Sequence, residues 1–170
     1  MEFLEVVKNR KSIRIFSPKV VPSLLVSKIL EVVNLAPSAG NLQAYKIYVI
    51  SDLETRKQIA HACNEQEFIA QAPIALVFCA DAKRSASKYG NRGKNLYAVQ
   101  DATIAAAFTT LAAVNQKLAT CWVGAFNENK IRQILNTKLL PVVVMPSGFG
   151  AENPPRRTRK TLTELVEFIK

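Results

Sequence analysis

The sequence predicts one domain in which α-helices pack on a buried β-sheet. Of its 170 residues, 49% are hydrophobic and 21% are charged, a balance typical of a protein that buries a substantial core. Two short runs, residues 73–80 and 141–146, are almost wholly apolar, as expected of strands buried on both faces. Longer segments around them carry apolar residues at helical spacing. We therefore expect residues 1–170 to form a single domain of mixed helices and strands.

The first half of the chain is predicted to begin with helices and to continue into the sheet. Helical spacing indicates a short helix over residues 2–9 and a longer one over residues 22–33, which Pro37 helps to end. Residues 45–50 alternate in polarity and are rich in β-branched and aromatic side chains, which predicts a strand. The helix predicted over residues 52–63 begins with an aspartate suited to cap it. A further short helix precedes the next strand.

The second half is predicted to contain a basic loop, the longest helix and a final helix. Residues 82–94 are polar and basic and include two glycines, which indicates a mobile loop and a candidate lid. The longest helix covers residues 96–118. A short strand and turn over residues 120–126, a helix over residues 128–135 and the second apolar strand follow. After an extended arm, the last helix is expected over residues 161–169.

The longest helix is nearly apolar around its whole circumference for the thirteen residues from Ala102 to Val114. A membrane span needs about 20 such residues, so we interpret this segment as a central buried helix instead. One subunit of this size has limited means of covering such a helix on all sides. A homodimer packed along it is therefore our hypothesis. The first residues also lack the pattern of a secretory signal, and we expect a cytoplasmic location.

The net charge of +10 comes largely from three clusters of lysine and arginine. Fourteen of the 23 cationic residues lie within residues 8–19, 83–94 and 156–160. Such clusters suit phosphate groups, although a solvated basic surface is the default interpretation. Binding of nucleic acid is a second hypothesis, but no zinc-ligand spacing or helix-turn-helix signature supports it.

The cysteines and the single histidine argue against several kinds of active site. Cys63, Cys79 and Cys121 are widely separated and odd in number, which favours reduced, buried thiols over disulfides or a zinc site. His61 is the only histidine, so a multi-histidine metal site is excluded. It falls in a predicted helix, where a structural or surface role is the simpler interpretation. We expect no metal ion in the site.

Two stretches carry candidate binding residues. In residues 10–16, Arg10, Ser12 and Arg14 alternate with apolar side chains, so an extended backbone would place all three on one side. Two guanidinium groups around a hydroxyl form a candidate anion site, and a solvated strand edge explains the pattern equally well. Residues 36–45 combine turn formers with Asn41 and Gln43, whose amides suit a heterocycle edge. A capped loop between helix and strand is the alternative.

Four stretches together resemble the nitroreductase family of FMN-dependent oxidoreductases. They are the basic segment 10–14, the turn 36–43, the segment 120–126 after the long helix, and the basic pair Arg157 and Arg159 near the end. Similarity also extends to Tyr89-Gly90-Asn91-Arg92-Gly93, Leu96-Tyr97 and Gln100-Asp101. In order and spacing, these stretches cover almost the entire chain.

The resemblance implies an α+β fold with a four- to five-stranded, mostly antiparallel sheet flanked by helices. It also implies an intertwined homodimer with two FMN sites at the interface. In that family the early basic segment and the late basic pair hold the phosphate and the pyrimidine side of the flavin. The corresponding residues here are Arg10, Lys11, Ser12, Arg14, Arg157 and Arg159.

The same resemblance assigns roles to the polar turn and to a stretch of backbone. Pro37, Ser38 and Ala39 are expected to come from the partner subunit and to lie against the dimethylbenzene end of the flavin. Asn41 and Gln43 would approach the ring system. The backbone of two further residues would face the reactive flavin nitrogen, so that no catalytic side chain is needed. These two are Val123 and Gly124.

The function implied is reduction of a small acceptor, such as a nitroaromatic or a quinone, by NADH or NADPH in a ping-pong exchange through FMN. Another acceptor chemistry, such as reductive dehalogenation, is the alternative, and a nucleic-acid-binding protein is a distant third. The chain departs from many relatives at Ala44-Tyr45, where Pro-Trp is common, and at Lys117-Leu118-Ala119, where Gly-Leu-Gly is common. These changes concern substrate preference more than FMN binding.

Overall fold

The computed structural model describes residues 1–169 and contains helices interspersed with four strands. The order agrees with the sequence-based expectation for most elements. In chain order they are α1 (Phe3–Asn9), α2 (Ser23–Asn34), β1 (Tyr45–Ile50), α3 (Leu53–Ala62), α4 (Phe68–Gln71), β2 (Ile74–Ala80), α5 (Ala82–Arg92), α6 (Ala98–Asn115), β3 (Ala119–Thr120), α7 (Glu128–Ile134), β4 (Leu140–Gly148) and α8 (Leu162–Leu165).

The strands form one four-stranded antiparallel sheet in the order β1-β2-β4-β3. Tyr45 of β1 lies opposite Ala80 of β2, and Ile74 at the other end of β2 lies opposite Ser147 of β4. With helices on both faces, this is the α+β arrangement that the resemblance implied. The sheet, including its short β3, agrees with the predicted four- to five-stranded, mostly antiparallel form.

The core lies on the two faces of β2, all seven residues of which are buried. On one face, Leu76 and Phe78 pack with apolar residues of α2 and α6. On the other face, Ala75 and Val77 pack with residues of α3, α4 and α7. Because consecutive side chains of a strand point to opposite faces, the continuous apolar run is what a strand covered on both sides requires.

The basic stretch 82–94 is not the loop that was predicted. It forms α5 and then a turn of π-helix over Gly93–Tyr97 that leads into α6. The Asp81 carboxylate accepts a hydrogen bond from the Arg84 N–H and caps the helix, while Gly90 interrupts it with a positive φ of 54°. The prediction was wrong because Gly90 and Gly93 were interpreted as signs of a loop, whereas Gly90 lies at a kink within a helical segment.

Residues 10–16 lie outside the named strands and make isolated bridges, from Ser12 to Thr120 and from Phe16 to Gly150. Two other expectations were longer than the observed elements. Of the strand and turn expected over 120–126, only Thr120 belongs to a strand, the two-residue β3, and Val123 makes an isolated bridge to Val144. The last helix spans only α8, because residues 166–169 leave the helix and have nothing to pack against within the described chain.

Helix α6 lies against the sheet, but one of its sides is only partly covered. Its buried residues include Asp101 and Thr109. Ile104, Phe108 and Leu111, which share one face at helical spacing, are half-buried. Within the described chain, the helical run Ala82–Asn115 is the one segment long and apolar enough to span a membrane by composition. Its packing on the sheet gives that composition a different explanation, that of a core helix.

All three cysteines are free and buried, as the sequence suggested. Burial raises the pKa of Cys63 and of Cys79 to about 12, so both thiols are protonated at neutral pH. His61 is exposed and lies beside Glu65, which agrees with a surface role. No group of three or more potential metal-ligating side chains occurs among residues 1–169.

Candidate functional site

The two basic segments from opposite ends of the chain line one cleft. The cleft has a volume of about 390 Å³ and is walled almost entirely by cationic side chains and prolines. Six of the predicted contacts lie in it, although about 145 residues separate the two groups in sequence. Its lining residues are Arg10, Lys11, Ser12, Arg14, Pro154, Pro155, Arg156, Arg157 and Arg159.

The arm that follows β4 brings the two segments together by hydrogen bonding along residues 14–17. The Ser17 N–H donates to the Phe149 carbonyl at 2.8 Å, and the Ala151 N–H donates to the Ile15 carbonyl at 2.9 Å. One carboxylate oxygen of Glu152 accepts the backbone N–H groups of Arg14 and Ile15. These bonds fix the direction of the arm and therefore place Arg157 and Arg159 at the cleft.

The cleft concentrates positive charge without a carboxylate in its lining. Burial and the charges of Arg159 and Arg156 lower the pKa of Arg10 below its ordinary value. None of the cleft cations forms a salt bridge within residues 1–169. Several guanidinium groups held together against their mutual repulsion are the donor set that a phosphate, with nearly two negative charges, satisfies best.

The polar turn at residues 38–44 has an unusual backbone. Gly40, Asn41 and Gln43 all have positive φ angles, of 56°, 56° and 48°. Two of these three are not glycine, and such conformations cost free energy that the surrounding structure must supply. The Ser38 hydroxyl helps by accepting a hydrogen bond from the Gln43 N–H at 2.9 Å. The turn is therefore held in one shape, with both amide side chains near its surface.

Asp101 of α6 fixes both ends of this turn, and the sequence-based interpretation assigned it no role. Its side chain is 1% exposed. One carboxylate oxygen accepts the Ala39 N–H at 2.9 Å and the other accepts the Ala44 N–H at 3.3 Å. Burial and then the Asp101 charge raise the pKa of Tyr45. A lone acid inside a nearly apolar helix was the available signal, because a buried carboxylate needs donors that only a neighbouring backbone can supply here.

Two departures from the family pattern have visible structural consequences. Ala44 is fully buried among Ala80, Ala98 and Ala102, so this corner is too tight for a larger side chain. Lys117, at the end of α6, has a φ of 60°, the left-handed conformation that glycine adopts without strain. The backbone at this point therefore keeps the conformation that a glycine would adopt, although that conformation is less favourable in free energy for a lysine.

The backbone at Val123 and Gly124 offers one unused donor. The Val123 N–H donates to the Val144 carbonyl at 2.9 Å and is therefore already engaged. Gly124 is exposed, and a Cβ atom added there would meet no atom within 4 Å. Of the two amides predicted to face a ligand, the one at Gly124 makes no hydrogen bond within residues 1–169.

One chain brings together only part of the predicted site. The cleft contains the basic residues, and Ser12 is joined to Thr120 of β3, three residues before Val123. None of the turn residues lines the same cleft. The residues outside it are Pro37, Ser38, Ala39, Asn41 and Gln43. This division is what the resemblance leads one to expect if the turn serves the cleft of a second subunit.

Comparison with known proteins identifies the class to which this fold and cleft belong. The sequence model of the Nitroreductase family matches residues 7–67 and 60–150. A protein of Methanothermobacter thermautotrophicus, provisionally named NADH dehydrogenase/NAD(P)H nitroreductase, is 30% identical over 163 residues, which cover 92% of this chain and 82% of that protein. The chain belongs to the nitroreductase family.

Two further relatives support the assignment. A protein of Bacillus subtilis named FMN reductase, NAD(P)H, is 29% identical, with 94% of this chain and 68% of that protein covered. The crystal structure of a nitroreductase family protein from Clostridium novyi NT superposes with a TM-score of 0.81 at 30% identity, covering 89% of this chain and 87% of that one. The predicted family and fold are thereby confirmed.

Proposed function

We propose that this protein is an FMN-dependent oxidoreductase that uses NADH or NADPH to reduce a small acceptor such as a nitroaromatic or a quinone. The observation that carries the proposal is the cleft in which Arg10, Arg157 and Arg159 converge without a neutralising carboxylate. The names of relatives add support, since they include an FMN reductase and nitroreductases. Bound FMN supplies hydride transfer, which no side chain of this protein provides alone.

The residues of the chain then have separate tasks. Arg10, Lys11, Ser12, Arg14, Arg157 and Arg159 bind the phosphate and the pyrimidine side through charge-assisted hydrogen bonds. Asn41 and Gln43 hold the ring system by their amides, and Asp101 keeps their turn in shape. The Gly124 N–H, which makes no hydrogen bond within residues 1–169, would serve as a donor to the reactive flavin nitrogen, where electron density rises on reduction.

The functional unit in this proposal is a homodimer of single-domain subunits. Pro37, Ser38 and Ala39 of one chain complete the cleft of the other. Its support is the half-covered face of α6, together with exposed apolar side chains at both ends of the chain. Phe3 is 69% exposed, and Phe168 is 87% exposed. Apolar groups this exposed near the termini are typical of segments that pack on another subunit. The cytoplasmic location stays a prediction.

Anaerobic reduction tests the proposed activity. The purified protein, loaded with FMN, is expected to lose its visible flavin absorbance on addition of NADH or NADPH and to recover it when an oxidised acceptor is added after the nucleotide is consumed. Initial rates at several fixed donor concentrations should give parallel double-reciprocal lines, because donor and acceptor occupy the same place in turn. Retention of oxidised flavin with both nucleotides would contradict the assignment.

The acceptor is chosen between two chemistries. Nitroaromatics follow from relatives named nitroreductases and quinones from the resemblance to the family, whereas reductive dehalogenation uses the same flavin and a different acceptor. Comparing acceptors under single-turnover conditions separates these alternatives. Binding of nucleic acid is the competing explanation of the net charge, and the convergence of the two terminal basic segments in one cleft favours a compact anion instead.

A further inference from the structure

Helix α5 and the turn after it carry a cluster of two tyrosines and two cations. The rings of Tyr89 and Tyr97 meet edge to face, with centroids 5.2 Å apart and an interplanar angle of 82°. The Lys88 ammonium lies 5.5 Å from the centre of the Tyr89 ring. The Arg92 Nε–H donates to the Tyr97 hydroxyl at 2.8 Å. Both cations are exposed, and both rings are half-buried.

This cluster adjoins the turn that forms the proposed flavin wall. A Cβ atom built on Gly40 would overlap the Tyr89 hydroxyl and lie 2.8 Å from the Lys88 ammonium nitrogen. At the other end of α5, the Asp81 N–H donates to the Ala44 carbonyl at 2.8 Å. The helix therefore runs beside the turn, with Lys88 and Tyr89 at the turn's apex.

The cations of the cluster have no acidic partner. Within residues 1–169, neither Lys88 nor Arg92 lies within 4 Å of a carboxylate. Lys88 and Arg92 have no assigned contact with FMN, because the FMN phosphate is assigned to the cleft at Arg10 and Arg159. Half-buried tyrosine rings next to exposed cations that have no carboxylate partner match a ligand that has both a flat base and a phosphate.

We propose that Lys88 and Arg92, with the rings of Tyr89 and Tyr97, bind the adenosine end of the hydride donor and select the dinucleotide that carries a 2′-phosphate. This inference rests on the proposed function for the presence of a hydride donor. The guanidinium and ammonium groups bind the extra phosphate, and a tyrosine ring supports the adenine. The protein accordingly prefers NADPH to NADH.

Steady-state kinetics of the double variant Lys88→Gln/Arg92→Gln test the selection. The value of kcat/KM for NADPH is expected to fall about 10- to 100-fold, whereas the value for NADH changes less than about threefold. Roughly tenfold for each residue is the low end for a hydrogen bond to a charged group, as suits two exposed cations. The matched control is Lys83→Gln/Arg84→Gln, which removes the same charge from the first turn of α5 and is expected to leave the preference unchanged.

Binding of adenosine 2′,5′-bisphosphate and of 5′-AMP to the FMN-loaded protein provides a readout without turnover. Calorimetry is expected to show at least about tenfold tighter binding of the bisphosphate, with the difference lost in the double variant and reduced by added salt. Equal binding of the two nucleotides to the unmodified protein overturns the inference, as does equal loss of NADPH and NADH efficiency in the variant.

The two proposals fail in distinguishable ways. If NADPH and NADH reduce the flavin equally and the bisphosphate binds no tighter than 5′-AMP, the selection by α5 is wrong while the oxidoreductase assignment stands. If neither nucleotide reduces the flavin but the bisphosphate still binds preferentially and depends on Lys88 and Arg92, the anion site is correct and the assigned reaction is wrong.

Discussion

Replacing Arg10 and Arg159 together with glutamine is expected to weaken FMN binding by about a hundredfold or more, and riboflavin binding by less than about threefold. Each charge-assisted hydrogen bond contributes about 1.5–3 kcal/mol, or at least about tenfold in affinity, and riboflavin has no phosphate to lose these bonds. Titration of the flavin-free protein with each ligand, followed by flavin fluorescence, measures both constants.

The folded protein without flavin should tolerate this double change. Burial and the neighbouring charges of Arg159 and Arg156 lower the pKa of Arg10, so removing cations relieves repulsion. We expect the free energy of unfolding of the flavin-free variant to equal or exceed that of the unmodified protein. Lys160→Gln is the matched control, because Lys160 follows Arg159 but does not line the cleft. Equal losses for FMN and riboflavin would show that the cleft does not hold the phosphate.

Asp101→Asn is expected to lower the free energy of unfolding by about 2–4 kcal/mol and to weaken FMN and riboflavin to the same degree. The buried carboxylate accepts from both Ala39 and Ala44. An asparagine has one oxygen acceptor, and its NH2 group would face the second N–H, which leaves a buried donor without a partner. Denaturant unfolding and the two flavin titrations measure these effects.

The control for Asp101 lies two turns further along the same helix. Thr109 is buried, and its hydroxyl donates to the Ala105 carbonyl of its own helix at 3.0 Å. We expect Thr109→Val to cost about 1 kcal/mol or less and to leave both flavin affinities unchanged. If Asp101→Asn destabilises the fold but riboflavin binds as before, Asp101 is a structural residue and the turn is not the wall of the ring.

The sheet and its covering helices were predictable because their patterns are local. The apolar run that became β2 has the composition of a strand buried on both faces, and Asp52 accepts from the Thr55 N–H as the cap that the sequence indicated. The same reasoning failed at α5. A glycine at position 90 is compatible with a loop or with a kinked helix, and the contacts of the flanking turns decide between the two.

Only those residues of the candidate site that belong to a sequence motif could be predicted. The basic residues at 10–14 and 157–159 were assigned by resemblance, and the structure explains their meeting by the hydrogen bonds of the arm to residues 14–17. Asp101 received no role because the contacts of a buried carboxylate are non-local. Its two donors lie 57 and 62 positions away, and no periodicity in the sequence links them.

Sedimentation velocity recorded at the visible flavin absorbance tests the central claim most directly. The claim is that FMN occupies a cleft that two copies of this chain build together. We expect the flavin signal to sediment with a species of twice the subunit mass of 18.8 kDa, at one FMN for each chain. A flavin-free monomer after incubation with excess FMN, or FMN bound stably to a single chain, would contradict this account of the site.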